Sequence, residues 1–197
     1  MSFDHFTFDE ENHVYRLGGN QLPSVTQIIR DLGLTPNFPA GPYRVRGRAV
    51  HKACELYDQG VLDQFELAPA IMGYVNAWIA VSKEFGWVWD AQGIEYRLYD
   101  PIKMVAGTID RVGMWGGKPL ILDIKSGSAG REAALQTAAY ADMRFPDNNA
   151  EVQRCSVEIH ADGTYAPPKW YTDYYDIIAW RGAVALWRWK MNKETTK

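Results

Sequence analysis

This chain has little cysteine, no long apolar run and no block of one charge, and each shortage narrows what it can do. Cys54 and Cys155 are the only cysteines among 197 residues. Two thiols cannot supply a four-thiolate zinc or iron–sulfur centre, and so few fit a reducing, cytoplasmic setting. No apolar run reaches the roughly 18 residues needed to cross a bilayer, so no membrane partner is expected. The opening Met1-Ser2-Phe3-Asp4-His5 has neither the basic nor the apolar region of a signal peptide. A net charge of −3 speaks against coating nucleic acid through bulk charge. It leaves a nuclease open, because carboxylates gathered for metal lower the net charge while a local basic groove still holds phosphate. No internal repeat and no low-complexity tract is present.

What the chain does have is the material for a packed core. Hydrophobic residues make up 47% and charged residues 23%, which is ordinary for a globular protein. Phe6-Thr7-Phe8 and Val14-Tyr15-Arg16-Leu17 read as a β-hairpin closing at Gly18-Gly19. Pro23-Ser24-Val25-Thr26 opens a short helix through Leu32, stopped by Gly33. Pro36, Pro39, Gly41 and Pro42 make residues 34–43 a loop. A helix from Tyr43 to Gln59 carries an apolar face of Val45, Ala49, Ala53, Leu56 and Tyr57. A second helix covers residues 67–85. Strands follow at Ile94–Tyr99, Met104–Trp115 and Lys118–Lys125, then a helix at Arg131–Phe145, a strand at Val152–Ile159 and a helix at Tyr174–Lys193. This order predicts an α/β domain with a mixed sheet flanked by helices.

The chemistry concentrates in one hairpin. Gly116-Gly117 is a two-residue turn signal, and a register in which Trp115 faces Lys118 sets Asp110 directly across from Asp123. Facing Cβ atoms lie roughly 4.5–5.5 Å apart. Two like charges at that range destabilise a sheet unless a cation lies between them. A hard divalent ion such as Mg²⁺ or Mn²⁺ prefers carboxylate oxygens and suits the place. Lys125, two residues beyond Asp123, shares its face, where it can orient or deprotonate a water and stabilise a pentavalent phosphate. Leu120, Leu122 and Ile124 point the other way, into the core. A surface ion pair is the plainer account of the same residues.

Other positions are placed to support this centre. With a loop of residues 100–103, Glu95 faces Thr108 and shares the side of Asp110, as an outer-shell group, a second-metal ligand or simply an exposed glutamate. Gly47, Arg48 and His51 share one helix face, and a glycine one turn below a histidine lets a ligand approach closely. Gln136 and Tyr140 lie one turn apart, facing a phosphate or base or forming a polar seam on an Ala-rich helix.

Taken in order, Ser24-Val25-Thr26, Gly47 with His51, Glu95, Gly107-x-x-Asp110, Asp123-x-Lys125 and Gln136-x-x-x-Tyr140 resemble the PD-(D/E)XK nuclease superfamily. Within it they resemble the RecB-like exonuclease branch, in its small stand-alone, phage-type form. Ile109 stands where the nominal proline would be. The resemblance implies a restriction-endonuclease-like core with an N-terminal hairpin and a helical extension. It implies one nuclease domain over 1–197, divided into 1–90 (hairpin and helices), 91–160 (catalytic core) and 161–197 (C-terminal helix). It also implies that His51, Asp110, Asp123 and the Ile124 carbonyl bind Mg²⁺ or Mn²⁺, and that Lys125 positions the water. Glu95, Gln136 and Tyr140 complete the catalytic set, the last two also organising the DNA strand. Ser24, Thr26, Arg46 and Arg48 become phosphate contacts. Relatives with an iron–sulfur cluster use four cysteines, so no such cluster is expected here.

The expected activity is DNA hydrolysis to 5′-phosphate and 3′-hydroxyl ends, on DNA with a free end or single-stranded segment, in recombination, repair or phage DNA metabolism. A structure-selective or nicking endonuclease on the same core is the alternative, and a DNA-binding module without catalysis a third. Ring-forming relatives leave room for a homo-oligomer or a recombination partner. Most of the eight tryptophans are expected in the core, with Trp170, Tyr171 and Tyr174 the better candidates for surface contacts.

Overall fold

The computed structural model describes residues 5–35 and 41–194. Pro36 and Pro39 of the expected loop therefore lie outside the described residues. The chain opens with a three-stranded antiparallel sheet: β1 (Phe6–Asp9), β2 (Val14–Leu17) and β3 (Asn20–Leu22). The hairpin is where its alternation put it. The third strand was not expected, because Gly18-Gly19 was read as a stop. These glycines, at φ 56° and 82°, instead form a tight turn that pairs Leu17 with Asn20, as the two-residue hairpin allows. Tyr15, Leu17 and Leu22 are buried with Ala106, docking this sheet onto the rest of the fold. Such side chains contribute about 1.5–3 kcal/mol each when fully buried.

Five helices follow the expected positions closely: α1 (Val25–Asp31), α2 (Pro42–Asp58), α3 (Pro69–Phe85), α4 (Glu132–Arg144) and α5 (Tyr175–Glu194). Among the described residues, no helix is long and apolar enough to cross a membrane. The buried seam of α2 runs through Val50, Ala53 and Cys54, with Tyr57 partly buried. Val45, expected on that seam, is 61% exposed. It lies about 140° around the helix from Val50 at roughly 100° per residue, so it cannot share the contact.

The main sheet runs β4 (Val88–Asp100), β5 (Val105–Trp115), β6 (Lys118–Lys125), β7 (Gln153–Glu158) and β8 (Lys169–Trp170), in that spatial order. All neighbours are antiparallel except β6 and β7, which are parallel and joined through α4, as a parallel pair requires. The architecture is a mixed five-stranded sheet and a small antiparallel sheet, flanked by helices. Leu120, Leu122 and Ile124 of β6 pack with α2 and α3, and Ile121 packs with α1, α4 and α5. The period-2 pattern of the strand thus gives each face its own core.

β4 begins six residues earlier than expected, through an irregular stretch between Trp89 and Ile94. A Cβ at Gly93 would stand 2.2 Å from the Val112 carbonyl oxygen, so glycine is required for that close approach. Trp78 and Trp180 are buried, as expected for packing tryptophans. Tyr171 is buried too, with its hydroxyl 2.7 Å from Ser156 Oγ, and Trp170 stacks on Trp115 at 4.8 Å. Of the three aromatics expected at the surface, Tyr174 is clearly exposed.

Candidate metal centre and its cleft

The β5–β6 turn holds Gly116 and Gly117 at φ 56° and 77°, and Trp115 pairs with Lys118. That register continues to Arg111 opposite Leu122. Asp110 and Asp123 lie one step beyond this last rung. There the backbone N–H of Ile124 donates to Asp110 Oδ2 at 2.7 Å. Both carboxylates are buried, at 8% and 3% exposure.

His51 approaches from α2, its Nδ1 3.5 Å from Asp110 Oδ1. Glu95 comes from β4, though not by the expected register. Thr108 faces Arg97, and Ile94 and Tyr96 face Arg111 and Ile109, which sets Glu95 abreast of Asp110. The cause is the turn. Asp100 pairs with Val105, and its carboxylate accepts the N–H groups of Ile102 and Lys103 at 2.8 and 2.7 Å. The turn therefore starts one residue later than expected and ends one later, moving the register by two and keeping the face. Glu95 has φ 50°, a conformation unusual for a residue with a side chain, which marks a constrained position. A ring nitrogen of His51 and one carboxylate oxygen each of Glu95 and Asp110 lie within 4.8 Å of one another.

Behind Glu95 stands a residue the sequence reading missed. Arg111 is fully buried, with Nε 2.6 Å from Asp58 Oδ2 and Nη1 3.3 Å from Glu95 Oε1. It also donates to the Asp110 carbonyl, and Asp58 accepts from Trp78 Nε1. The available signal was an arginine next to Asp110 in a largely apolar strand, where alternation turns the two side chains to opposite faces and leaves the arginine in need of a buried acid from elsewhere.

On the other side of the carboxylates, Lys125 Nζ lies 2.9 Å from Asp123 Oδ2 and donates to Gln136 Oε1 at 3.0 Å. Gln136 Nε2 in turn donates to Tyr140 Oη at 3.4 Å. Gly107 makes room for this tyrosine, since a Cβ there would stand 2.8 Å from Tyr140 Cε1. Gln136 and Tyr140 are thus joined to the carboxylate centre rather than forming an isolated seam.

The charges act on one another strongly. Burial would lower the pKa of His51, but Asp110, Glu95 and Asp123 outweigh it and raise it to about 9. Burial and the Asp110 charge push Glu95 up to about 7 against His51 and Arg111. Burial, opposed by Lys125 but reinforced by Asp110, raises Asp123 to about 6. Asp110 moves the other way: burial is overcome by His51, the Ile124 N–H and Lys125. Lys125 is held charged, because Asp123 and Asp110 outweigh its burial.

A divalent cation fits this donor set. One ligand atom from each of His51, Glu95 and Asp110 converges on the same place, and Asp123 Oδ2 is buried with the Lys125 ammonium as its near neighbour. Carboxylate oxygens suit hard ions such as Mg²⁺ and Mn²⁺, whereas an imidazole also suits softer ones such as Zn²⁺, so the donor set does not by itself select the metal.

The centre opens into a cleft of about 560 Å³. His51, Glu95, Asp110, Gln136, Tyr140, Ser24, Thr26 and Arg48 all line it, and Gly47 and Gly107 form part of its wall. Asp123 and Lys125 are not part of that lining; Asp123 is buried, while the Lys125 side chain is 23% exposed. Ser24 caps α1 by accepting the Gln27 N–H at 3.0 Å and lies 3.2 Å from Thr26 Oγ1. Arg46 stands apart, donating to the Ser126 carbonyl at 3.2 Å with its guanidinium over Tyr43 and Tyr74. No protein-family model matches this chain, and comparison with curated proteins finds no match.

Proposed function

We propose that this chain is a Mg²⁺- or Mn²⁺-dependent deoxyribonuclease of the PD-(D/E)XK kind, acting as an exonuclease on a restriction-endonuclease-like core. The observation that carries the reading is the convergence of His51, Glu95 and Asp110 in one cleft, with the Asp123–Lys125 pair joined to it through Gln136. Two buried acids next to a charged lysine and a histidine are costly to fold. A metal and a phosphodiester repay that cost in function.

His51, Glu95 and Asp110 would hold the cation, with Asp123 and the Ile124 carbonyl as further donors. When bound, the cation supplies Lewis acidity toward the phosphate and lowers the pKa of water. Lys125 keeps its proton, so its role is to donate a hydrogen bond and stabilise negative charge building on phosphorus, not to act as the base. Gln136 accepts from Lys125 Nζ, which fixes the direction of that ammonium. Without a metal, burial and the Asp110 charge raise the Glu95 pKa to about 7; a bound cation would hold it ionised as a ligand, with Arg111 beside it. Thr26 and Arg48 on the cleft wall are suited to contact the strand.

The reading is tested by incubating linear and covalently closed DNA with wild type and Asp123→Asn, in Mg²⁺, Mn²⁺ or chelator. Exonuclease action degrades linear DNA only, and the variant and the chelator abolish it. Cutting of closed circles reassigns the enzyme as an endonuclease on the same core. Activity that survives both Asp123→Asn and the chelator overturns the proposal.

A further inference from the structure

The cleft has a second wall that the metal centre does not use. Phe8, Glu10, His13 and Tyr15 of the N-terminal sheet line the same cavity as Arg48 and Arg97. His13 sits in the β1–β2 turn at φ 52°. Its ring meets Phe8 and Tyr15 edge-on, at 5.1 and 5.5 Å between centroids. Arg97 lies over the Phe8 ring at 4.6 Å. Its contact with exposed Glu10, at 3.6 Å, is the weak kind that yields to a better anion.

Arg48 is exposed and has no carboxylate partner among the described residues, whereas Lys52 beside it is held by Glu55 at 2.9 Å. Partial burial and the charges of Arg44, Arg48 and Arg97 hold the His13 pKa below the usual histidine value. A neutral imidazole in a positive field offers one N–H donor, and two guanidinium groups add planar forks suited to phosphate. Among the described residues Glu10 meets Arg97 in this corner, and no ion pair holds Arg48.

Resting on the deoxyribonuclease reading, we propose that His13, Arg48 and Arg97 form a second phosphate subsite. It holds a phosphate of the DNA strand away from the scissile bond, and it makes the N-terminal sheet a guide for that strand. The contact is to the backbone, so it adds affinity and register without sequence preference.

The test is fluorescence anisotropy with a short 3′-labelled single strand carrying either a 5′-phosphate or a 5′-hydroxyl, in chelator so that nothing is cut. Wild type, Arg48→Gln and Arg97→Gln are compared between about 50 and 200 mM salt. Each variant should bind about tenfold more weakly, with a salt slope smaller by about 0.7, as expected for one lost phosphate contact on a single strand. Loss confined to the 5′-phosphorylated strand identifies a terminal phosphate, and loss on both strands an internal one. Unchanged affinity and slope in both variants overturn the subsite.

Inorganic pyrophosphate separates this proposal from the one beneath it. Added to wild type, it should shift the His13 ring proton resonance, identified by its absence in His13→Asn. A shifted His13 in a protein that binds DNA but does not cut it with Mg²⁺ or Mn²⁺ keeps the subsite and removes the deoxyribonuclease. Normal cleavage by arginine variants with unchanged binding does the reverse.

Discussion

Gly47 and Gly107 border the same cleft for different physical reasons, and single substitutions separate them. A Cβ at Gly47 would meet only Ser126 Oγ at 3.7 Å, an ordinary contact. Gly47→Ala should therefore stabilise α2 by about 0.5–1 kcal/mol while weakening DNA cleavage, because the space belongs to the ligand. A raised melting temperature with undiminished cleavage would remove Gly47 from the site. Gly107→Ala drives a methyl into the buried Tyr140 ring and should cost about 1–3 kcal/mol by overpacking, read by denaturant melts. The titrating groups make a second residue-level prediction. His51, Glu95 and Asp123 are raised to about 9, 7 and 6 from ordinary values of 6.5, 4.5 and 3.8. The stability they contribute is full below those ordinary values and is lost as pH rises through the raised ones. Asp110 is lowered, so its contribution disappears only in acid below that window. The metal-free protein should thus lose stability from pH 5 to pH 8. Mn²⁺, which favours the ionised carboxylates, should raise the melting temperature more at pH 8 than at pH 5.5. Equal shifts at both pH values would mean that the cation binds elsewhere.

At the scale of elements, α2 and β5 are held together by a buried ion pair that also fixes the metal centre. Arg111 joins Asp58 of α2 to Glu95 of β4, with its guanidinium over the Trp78 ring at 5.4 Å. Removing it takes from Asp58 and Glu95 the cation they share. Arg111→Met should cost about 3–5 kcal/mol, and Arg111→Met with Asp58→Leu should recover part of that stability without recovering Mn²⁺ affinity. Full recovery of both would show that Arg111 only packs. None of this was readable from spacing, since Asp58 and Arg111 are far apart in the chain and belong to different elements. Much else was readable. The helices and the central strands followed their apolar periods and glycine stops, and Gly116-Gly117 set the β5–β6 register as far as Arg111 and Leu122. β3 and β8 escaped because strands of three and two residues carry almost no alternation. The Glu95 register slipped by two because the Asp100 carboxylate anchors a turn that composition alone did not define.

For the whole molecule, the cleft is a product of assembly. His51 comes from one side of the main sheet, Gln136 and Tyr140 from the other, Glu95 and Asp110 from adjacent strands, and His13 from the separate N-terminal sheet. The expected motif residues were visible one by one, and the sheet is what brings most of them to one place. Asp123 and Lys125 are outside the cleft lining, and Arg46 turns toward Tyr74 and Ser126. In the proposed reaction Lys125 is the residue on which the chemistry would turn, its ammonium paired with Asp123 and hydrogen-bonded to Gln136. The most direct test is therefore the single-turnover rate of hydrolysis of a labelled linear DNA in saturating Mg²⁺, compared between wild type and Lys125→Ala. Loss of a charge-stabilising donor should slow hydrolysis by about 10²–10³-fold, with DNA binding largely retained and chelator stopping the wild type. Equal rates in the two proteins, or hydrolysis that continues in chelator, would contradict the account.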